Sequence, residues 1–350
     1  MLLFHCRAGF EADCAEEIAE AALSAGAEGR GEHQPNQAFV IWVPAANSPS
    51  ARHRWAPPFA NLVFARQRVD RVRRVDALSA PDRATPVVEA AKAFALRFSD
   101  VWIEAPDSEA GRRLLAAARS LADPLRSALR AAGLIASGRR NPRLHVCFVE
   151  TQSAFLGISH PQDSAPWPMG IPRLRAIAGA PSRSGMKLSE ALATFIDEDA
   201  LITRMRAGRM AVDLGAAPGG WSQVLASRGM RVIAVDNGPI AREVLATQLV
   251  EHRREDAFRF HPERPVDWMV CDVVAAPARI AALAAQWIAR GWCRETIFNL
   301  KLPNKARLRE VVRCEEVIER ALAKVGGTHE LRLKHLYHDR EEVTGHLRRL

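Results

Sequence analysis

The stretch Asp213-Leu-Gly-Ala-Ala-Pro-Gly-Gly-Trp-Ser222 decides the reading of this chain. It includes the end of the apolar run RMAVDLGA, so a strand closes at Asp213, a glycine-rich turn follows and a helix opens near Gly220. Glycines let a backbone approach a ligand closely, and a helix N-terminus offers free N–H groups. A dinucleotide fold writes such a turn as GxGxxG and cradles a pyrophosphate. Here the pattern is DxGxxPGG, with Pro218 where a phosphate loop needs flexibility. That form suits the methionine carboxylate of S-adenosylmethionine better than a diphosphate. Asp213, Gly215, Ala217, Pro218, Gly219, Gly220 and Trp221 are therefore the expected cofactor loop.

Working outward, RVIAVD ends at Asp236, an acid about twenty residues beyond the turn, where a ribose diol is gripped. Asp256 closes VEHRRED and is a candidate for the adenine amino group. DWMVCD ends at Asp272, and TIFNLKL carries Lys301 near its end. Each polar residue follows its apolar run on the C-terminal side, the edge at which open α/β sheets bind ligands. Continuous rather than alternating apolarity suits strands buried on both faces of a parallel sheet. HELRLKHLY and EVTGHLRRL are separated only by residues 338–341, which demands an antiparallel hairpin. The expected fold is α/β, a Rossmann-like methyltransferase whose parallel sheet ends in an antiparallel hairpin. Asp272 is followed by Val-Val-Ala-Ala-Pro, not the Pro-Pro-aromatic run of enzymes that methylate exocyclic amines. Cys271 lacks the Pro-Cys context of a cytosine C5 nucleophile. What remains, a lysine and an acid, suits an alcohol nucleophile.

The rest of the chain sets the context. At 350 residues, 48% hydrophobic and 25% charged, it is long enough for two or three domains with real cores. An excess of 49 Lys+Arg over 40 Asp+Glu gives +9 and points to a polyanionic partner. Six cysteines are scattered without a CxxC pair or a histidine cluster, so we expect buried thiols in a reducing compartment and no metal. No signal peptide or long apolar run is evident, so a cytoplasmic protein without a membrane segment is expected. Prolines from Pro161 to Pro181 read as an extended linker. Before it, short α+β units are expected: a strand from Leu2 to Cys6, a helix with Phe10, Cys14, Ile18 and Ala22 in register, and the strand AFVIWV. Helices are expected over 86–98 and 111–132, with strands at VWIEA, RLHVCFV and AFLGIS. Two windows are Arg-dominated. Residues 51–75 hold seven Arg against Asp70, and residues 110–145 hold eight against Asp123, which favours an RNA-facing surface.

Lys187 in SRSGMKLSEA, Asp272 in VCDVV, Lys301 in FNLKLP and Glu342 in REEVTGH resemble the Lys-Asp-Lys-Glu tetrad of FtsJ-like 2′-O-methyltransferases. Along CRAGFEADCAEEI, MGIPRLR, DLGAAPGGW, VDNGP, GWCRETIFNLKLP and LYHDREEVT, the chain is similar to the RlmM family of bacterial 23S rRNA cytidine 2′-O-methyltransferases. The resemblance implies a ferredoxin-like unit over 1–50, a THUMP RNA-binding domain over 51–160, the linker at 161–181 and the methyltransferase over 182–350. It implies S-adenosylmethionine contacts at Ser184, Ala217 to Gly220, Asp236, Asp256 and Asp272. The implied substrate is one cytidine in the peptidyl-transferase region of 23S rRNA, modified before the large subunit is assembled, with no obligate protein partner. A 2′-hydroxyl is a poor nucleophile at neutral pH, so a base must take its proton. Lys301 is the expected base, with Lys187 as the second cation that makes a lysine less basic. Glu342 rather than Glu341 is taken as the tetrad acid on the family match. Two alternatives stay open: another RNA such as tRNA as substrate, or an RNA-binding assembly factor without catalysis.

Overall fold

In the first half the β-rich runs gather into one sheet. The computed structural model describes residues 1–46, 55–78, 82–138, 140–175, 177 and 179–350. They form two units, Met1–Pro172 and Arg173–Leu350. In the first unit, β1 (Leu2–His5), β2 (Gly29–Glu32), β3 (Phe39–Pro44), β4 (Gln67–Val75), β5 (Asp100–Glu104), β6 (Arg143–Glu150) and β7 (Ser153–Ser159) lie in the order β2-β3-β1-β4-β7-β6-β5. Its helices are α1 (Glu11–Ser24), α2 (Ala84–Lys92), α3 (Glu109–Ser120) and α4 (Ala122–Ala131). Cys14, Ile18 and Ala22 are buried on one face of α1, as their four-residue spacing requires.

Several boundaries differ from the sequence reading. The helix expected over 111–132 is two helices meeting at Leu121, because Pro124 has no N–H to continue the ladder back to Ser120. α2 stops at Lys92 rather than 98, and Ala95 takes φ +55° beyond it. β4 pairs with β1, so the segments on either side of residue 50 share one sheet. Residues 161–172 pack within this unit instead of running free. Gln67 Nε2 donates to the carbonyls of Ala165 (3.0 Å) and Trp167 (3.2 Å), and Met169 N–H donates to buried Glu104 (2.6 Å).

Two arginines of the first window, Arg66 and Arg68, turn inward, while Arg73 and Arg74 are exposed. Arg68 is buried, with its guanidinium on Asp70 and Asp163 at 2.8 Å each. Arg66 meets Asp107, Arg74 meets Asp76, and Arg71 and Arg73 lie 5.3 and 4.9 Å from the Phe94 ring centroid. Of the second window, Arg112, Arg113, Arg119, Arg130 and Arg140 are exposed, so among the described residues this window supplies more exposed arginines than the first. Pro49, Arg52, Arg54 and Arg139 lie outside the described residues.

The second unit is the open α/β sheet expected. Its strands β8 (Met210–Leu214), β9 (Arg231–Val235), β10 (Val250–Arg253), β11 (Val266–Cys271), β12 (Cys293–Lys301), β13 (His329–Lys334) and β14 (Glu342–Arg349) run in the order β10-β9-β8-β11-β12-β14-β13. β10 through β12 are parallel, and β14 is antiparallel to both neighbours. The helices are α5 (Gly185–Phe195), α6 (Glu198–Arg204), α7 (Gly220–Ala226), α8 (Arg242–Leu245), α9 (Pro277–Ala289) and α10 (Arg307–Ala323). Leu188, Leu192 and Phe195 of α5 are buried with Trp221, Trp268 and Val270. At about 1.5–3 kcal/mol for each such side chain, this burial fixes α5. The β13–β14 connection is residues 335–341, longer than expected. The carboxylate of Glu190, on α5, accepts the Tyr337 N–H (2.7 Å) and the His338 N–H (2.8 Å) and holds that turn. All six cysteines are buried and free. Among the described residues no helix is long and apolar enough to cross a membrane, and no group of three or more ligating side chains could hold a metal.

Candidate active site

Parallel strands bring their C-terminal ends to one edge, so residues far apart in sequence meet there. Asp213 lies next to the end of β8, Asp236 just beyond β9, Asp272 just beyond β11, and Lys301 closes β12. Asp213 is fully buried and accepts the Ser222 hydroxyl at 2.7 Å. Burial pushes its carboxyl up to about 7, the Ser222 hydrogen bond opposes this, and the charge of Asp272 adds to it. Asp236 braces the glycine-rich turn by accepting the N–H groups of Ala217 (3.0 Å) and Gly238 (2.7 Å). Gly219 sits at φ +114°, a conformation a side chain would strain. A Cβ on Gly220 would strike the hydroxyls of Ser182 and Ser184. Ser184 is tied in further: its carbonyl accepts from the Trp221 indole at 2.9 Å. The loop Ser182–Ser184 and the turn Ala217–Trp221 thus form one wall. Asp256 stands apart, exposed beyond β10, its side chain accepting the Phe258 N–H at 2.8 Å.

The residues of this edge fit S-adenosylmethionine. That molecule carries an ammonium and a sulfonium, and three carboxylates, Asp213, Asp236 and Asp272, stand around the turn. Asp213 Oδ1 is a buried acceptor with no hydrogen-bond partner among the described residues, and an ammonium would satisfy it. A pyrophosphate would meet like charge here.

Beside this wall lies a second cluster. Lys187 Nζ donates to Glu342 Oε1 at 2.9 Å and lies 3.9 Å from Asp272 Oδ1. All three side chains are mostly buried. Burial works against the Lys187 charge, but Asp272, Glu342 and Asp339 outweigh it and hold the ammonium above the usual lysine range. Burial also raises Asp272, against the pull of Lys187 and the hydrogen bond from Asn299. Glu342 is held below the usual range: burial opposes, yet the Arg340 N–H and Lys187 prevail. Lys301 stands directly across the ladder from Glu342. Among the described residues its amine makes no direct hydrogen bond or ion pair, so it is the cation of the four that stays available to a hydroxyl. Glu341 points elsewhere, to Arg307 at 3.2 Å. The second cation that was to weaken the hold of Lys301 on its proton is therefore itself neutralised by two carboxylates.

Asn299, Thr344 and Asp339 were not picked out from the sequence. Asn299 and Thr344 lie two residues from Lys301 and Glu342, and period-two alternation puts them on the same face. That spacing is a signal, though only the pairing of β12 with β14 gives it meaning.

Comparison with known proteins bears on this geometry. The profile for "RlmM ferredoxin-like domain" matches residues 1–69, that for "Ribosomal RNA large subunit methyltransferase M, N-terminal" matches 82–160, and that for "FtsJ-like methyltransferase" matches 180–348. A ribosomal RNA large subunit methyltransferase M from Thauera aminoaromatica is 48% identical over 347 residues, 99% of this chain and 95% of that protein. The chain belongs to the RlmM family of ribosomal RNA large subunit methyltransferases. Its relative in Methylococcus capsulatus is 46% identical over 99% of this chain and 97% of that protein. Among solved structures, TrmN from Thermus thermophilus aligns over 100% of this chain and 99% of its own, at 19% identity and a TM-score of 0.35. Membership makes this chain an rRNA methyltransferase with an FtsJ-like catalytic half, and S-adenosyl-L-methionine its methyl donor.

Proposed function

We propose that the chain methylates the ribose 2′-hydroxyl of one cytidine in the peptidyl-transferase region of 23S rRNA, before the large subunit is assembled. The observation that carries this is the meeting of Lys187, Asp272 and Glu342 within 4 Å, with Lys301 opposite Glu342, beside the cofactor turn. S-adenosylmethionine, when bound, supplies an electrophilic methyl group. The chain's own residues do the rest. Lys301, as the free amine, takes the 2′-hydroxyl proton as the C–O bond forms. Lys187 keeps its charge and holds Asp272 and Glu342 in place. The turn at Ala217–Trp221, with Ser184, Asp236 and Asp256, holds the donor, and positioning two substrates supplies much of the rate. The first unit, read as ferredoxin-like and THUMP segments, binds the RNA through the exposed arginines of α3 and α4.

The test is methyl transfer from labelled S-adenosylmethionine to naked 23S rRNA, to assembled large subunits and to tRNA, with the modified nucleotide mapped by primer extension. A single 2′-O-methylcytidine on naked 23S rRNA supports the reading. Labelling of tRNA alone, or of no RNA, overturns it.

A further inference from the structure

Gly185, Met186 and Ser189 turn one face of α5, next to that of Lys187, toward a cavity of about 620 Å³ that borders the cofactor wall at Ser182 and Gly220. Its volume is in the range that holds a small ligand. Ile177, Met186 and Val224 give it apolar walls, and Ser189, the exposed Arg183 and His338 give it polar groups. Glu190 is buried, and its Oε1 and Oε2 accept the N–H groups of Tyr337 and His338. His338 Nδ1 lies 2.6 Å from the same Oε2. A carboxylate that already accepts two N–H groups accepts a third, so Nδ1 carries the ring proton and the neutral ring keeps a lone pair on Nε2. Among the described residues Nε2 has no hydrogen-bond partner, and the side chain is partly exposed. Two backbone N–H groups already hold the turn, so what the ring bond to Glu190 adds is an acceptor fixed beside the cavity.

The position of that acceptor suits the base of the reacting nucleotide. Glu190 follows Lys187 by three residues, about 5 Å along α5, so the ring stands roughly one turn from the Lys187–Glu342 pair. A nucleoside spans a comparable distance from its ribose to the far edge of its base. Cytosine carries an amino group at that edge, a donor for Nε2. Uracil carries a carbonyl oxygen there, which would face the lone pair and leave both acceptors unpaired. We propose that the cytosine of the target nucleotide enters this cavity and donates its amino group to His338 Nε2, so that His338 selects cytidine over uridine. The apolar walls take the faces of the ring, and Arg183 adds positive charge for a flanking phosphate. This rests on the reading that the chain methylates an RNA ribose beside Lys187 and Glu342.

The experiment uses the full chain and 23S rRNA in which the mapped target is cytidine, uridine or 2-pyrimidinone ribonucleoside, a cytidine analogue without the amino group. Wild type loses about tenfold or more in kcat/KM on the last two. His338→Ala treats cytidine and 2-pyrimidinone alike within about threefold, while calorimetry shows S-adenosylmethionine bound as in wild type. A residue that only braced the turn would lower all three substrates together and leave their ratios unchanged. Nitrogen NMR of histidine-labelled protein, with His338 assigned by its loss in the variant, shows the proton on Nδ1 and none on Nε2 at neutral pH. Unchanged selectivity in a folded His338→Ala overturns the proposal, and so does a proton on Nε2. If His338→Ala does not fold, the three substrates on wild type and the spectrum, assigned with His338→Gln, still decide. Methylation of cytidine with no loss on 2-pyrimidinone sinks this inference alone, whereas no methylation of any cytidine sinks the proposed function with it.

Discussion

Replacing Asp213 by Asn should stabilise the protein at high pH and weaken its hold on S-adenosylmethionine. The side chain is fully buried, keeps one hydrogen bond from Ser222, and has a carboxyl near 7 against an ordinary 3.8. The folded state therefore holds this proton more tightly than the unfolded chain does. For a carboxyl raised in this way, stability falls as pH climbs from about 3.8 to about 7 and is level above that. With 1.36 kcal/mol per pH unit, the charge costs about 1.6 kcal/mol at pH 5 and about 4 kcal/mol at pH 8.5. Asn retains an acceptor for Ser222 and never ionises, so this dependence disappears. Urea unfolding of wild type and Asp213→Asn at the two pH values, each on the full chain, measures it. The advantage of the variant should grow by roughly 3 kcal/mol between them, as an order-of-magnitude upper value. The same variant should bind S-adenosylmethionine more weakly, because the buried acceptor Oδ1 loses its charge. A stability difference that does not change with pH would refute the reasoning, because it would mean Asp213 is ionised throughout or not strained by burial.

Other outcomes follow from the same geometry. Lys301→Ala should lower methyl transfer by about 10²–10⁴ while S-adenosylmethionine still binds, measured by single-turnover assay and calorimetry; near-normal transfer would remove it as the base. Lys187→Met leaves Asp272 and Glu342 facing each other without a cation, and should cost about 2–3 kcal/mol at pH 8. Protonation of the two carboxyls relieves that cost at low pH, so urea midpoints should converge with wild type toward pH 5. Arg112→Glu with Arg119→Glu should weaken RNA binding without affecting the melt and flatten its salt dependence, read by filter binding across a salt series. Arg68→Ala should instead destabilise the first unit by about 3–5 kcal/mol, since Asp70 and Asp163 lose their buried partner.

Much of the second unit is legible in the sequence because each strand is a continuous apolar run and the polar residue that matters ends it. Asp236, Asp272 and Lys301 were located that way, one strand at a time. The first unit was harder, because its arginines look alike in sequence. Arg68 and Arg112 differ only in what faces them, a pair of acids in one case and solvent in the other. The segment after Pro161 misled for a related reason: prolines exclude regular structure but do not say whether a chain is free or packed. Gln67 and Glu104, about a hundred and about sixty-five residues away, hold it down.

The turn from Asp213 to Trp221 needed only its own residues, since backbone conformation there follows from glycine and proline chemistry. The α/β fold, Asp272 and Lys301 were likewise local, whereas Lys187 and Glu342 stood out only through the family resemblance. Which of those four are locked and which is available came only from the folded chain. Lys187 and Glu342 are 155 positions apart, and their 2.9 Å contact exists because α5 packs against the sheet of which β14 is a strand. The contacts that join Asp272 to Asn299 and Asn299 to Thr344 belong to the tertiary structure for the same reason. Hydrogen bonds depend on distance and direction between side chains, and the sequence alone fixes neither until distant strands are paired.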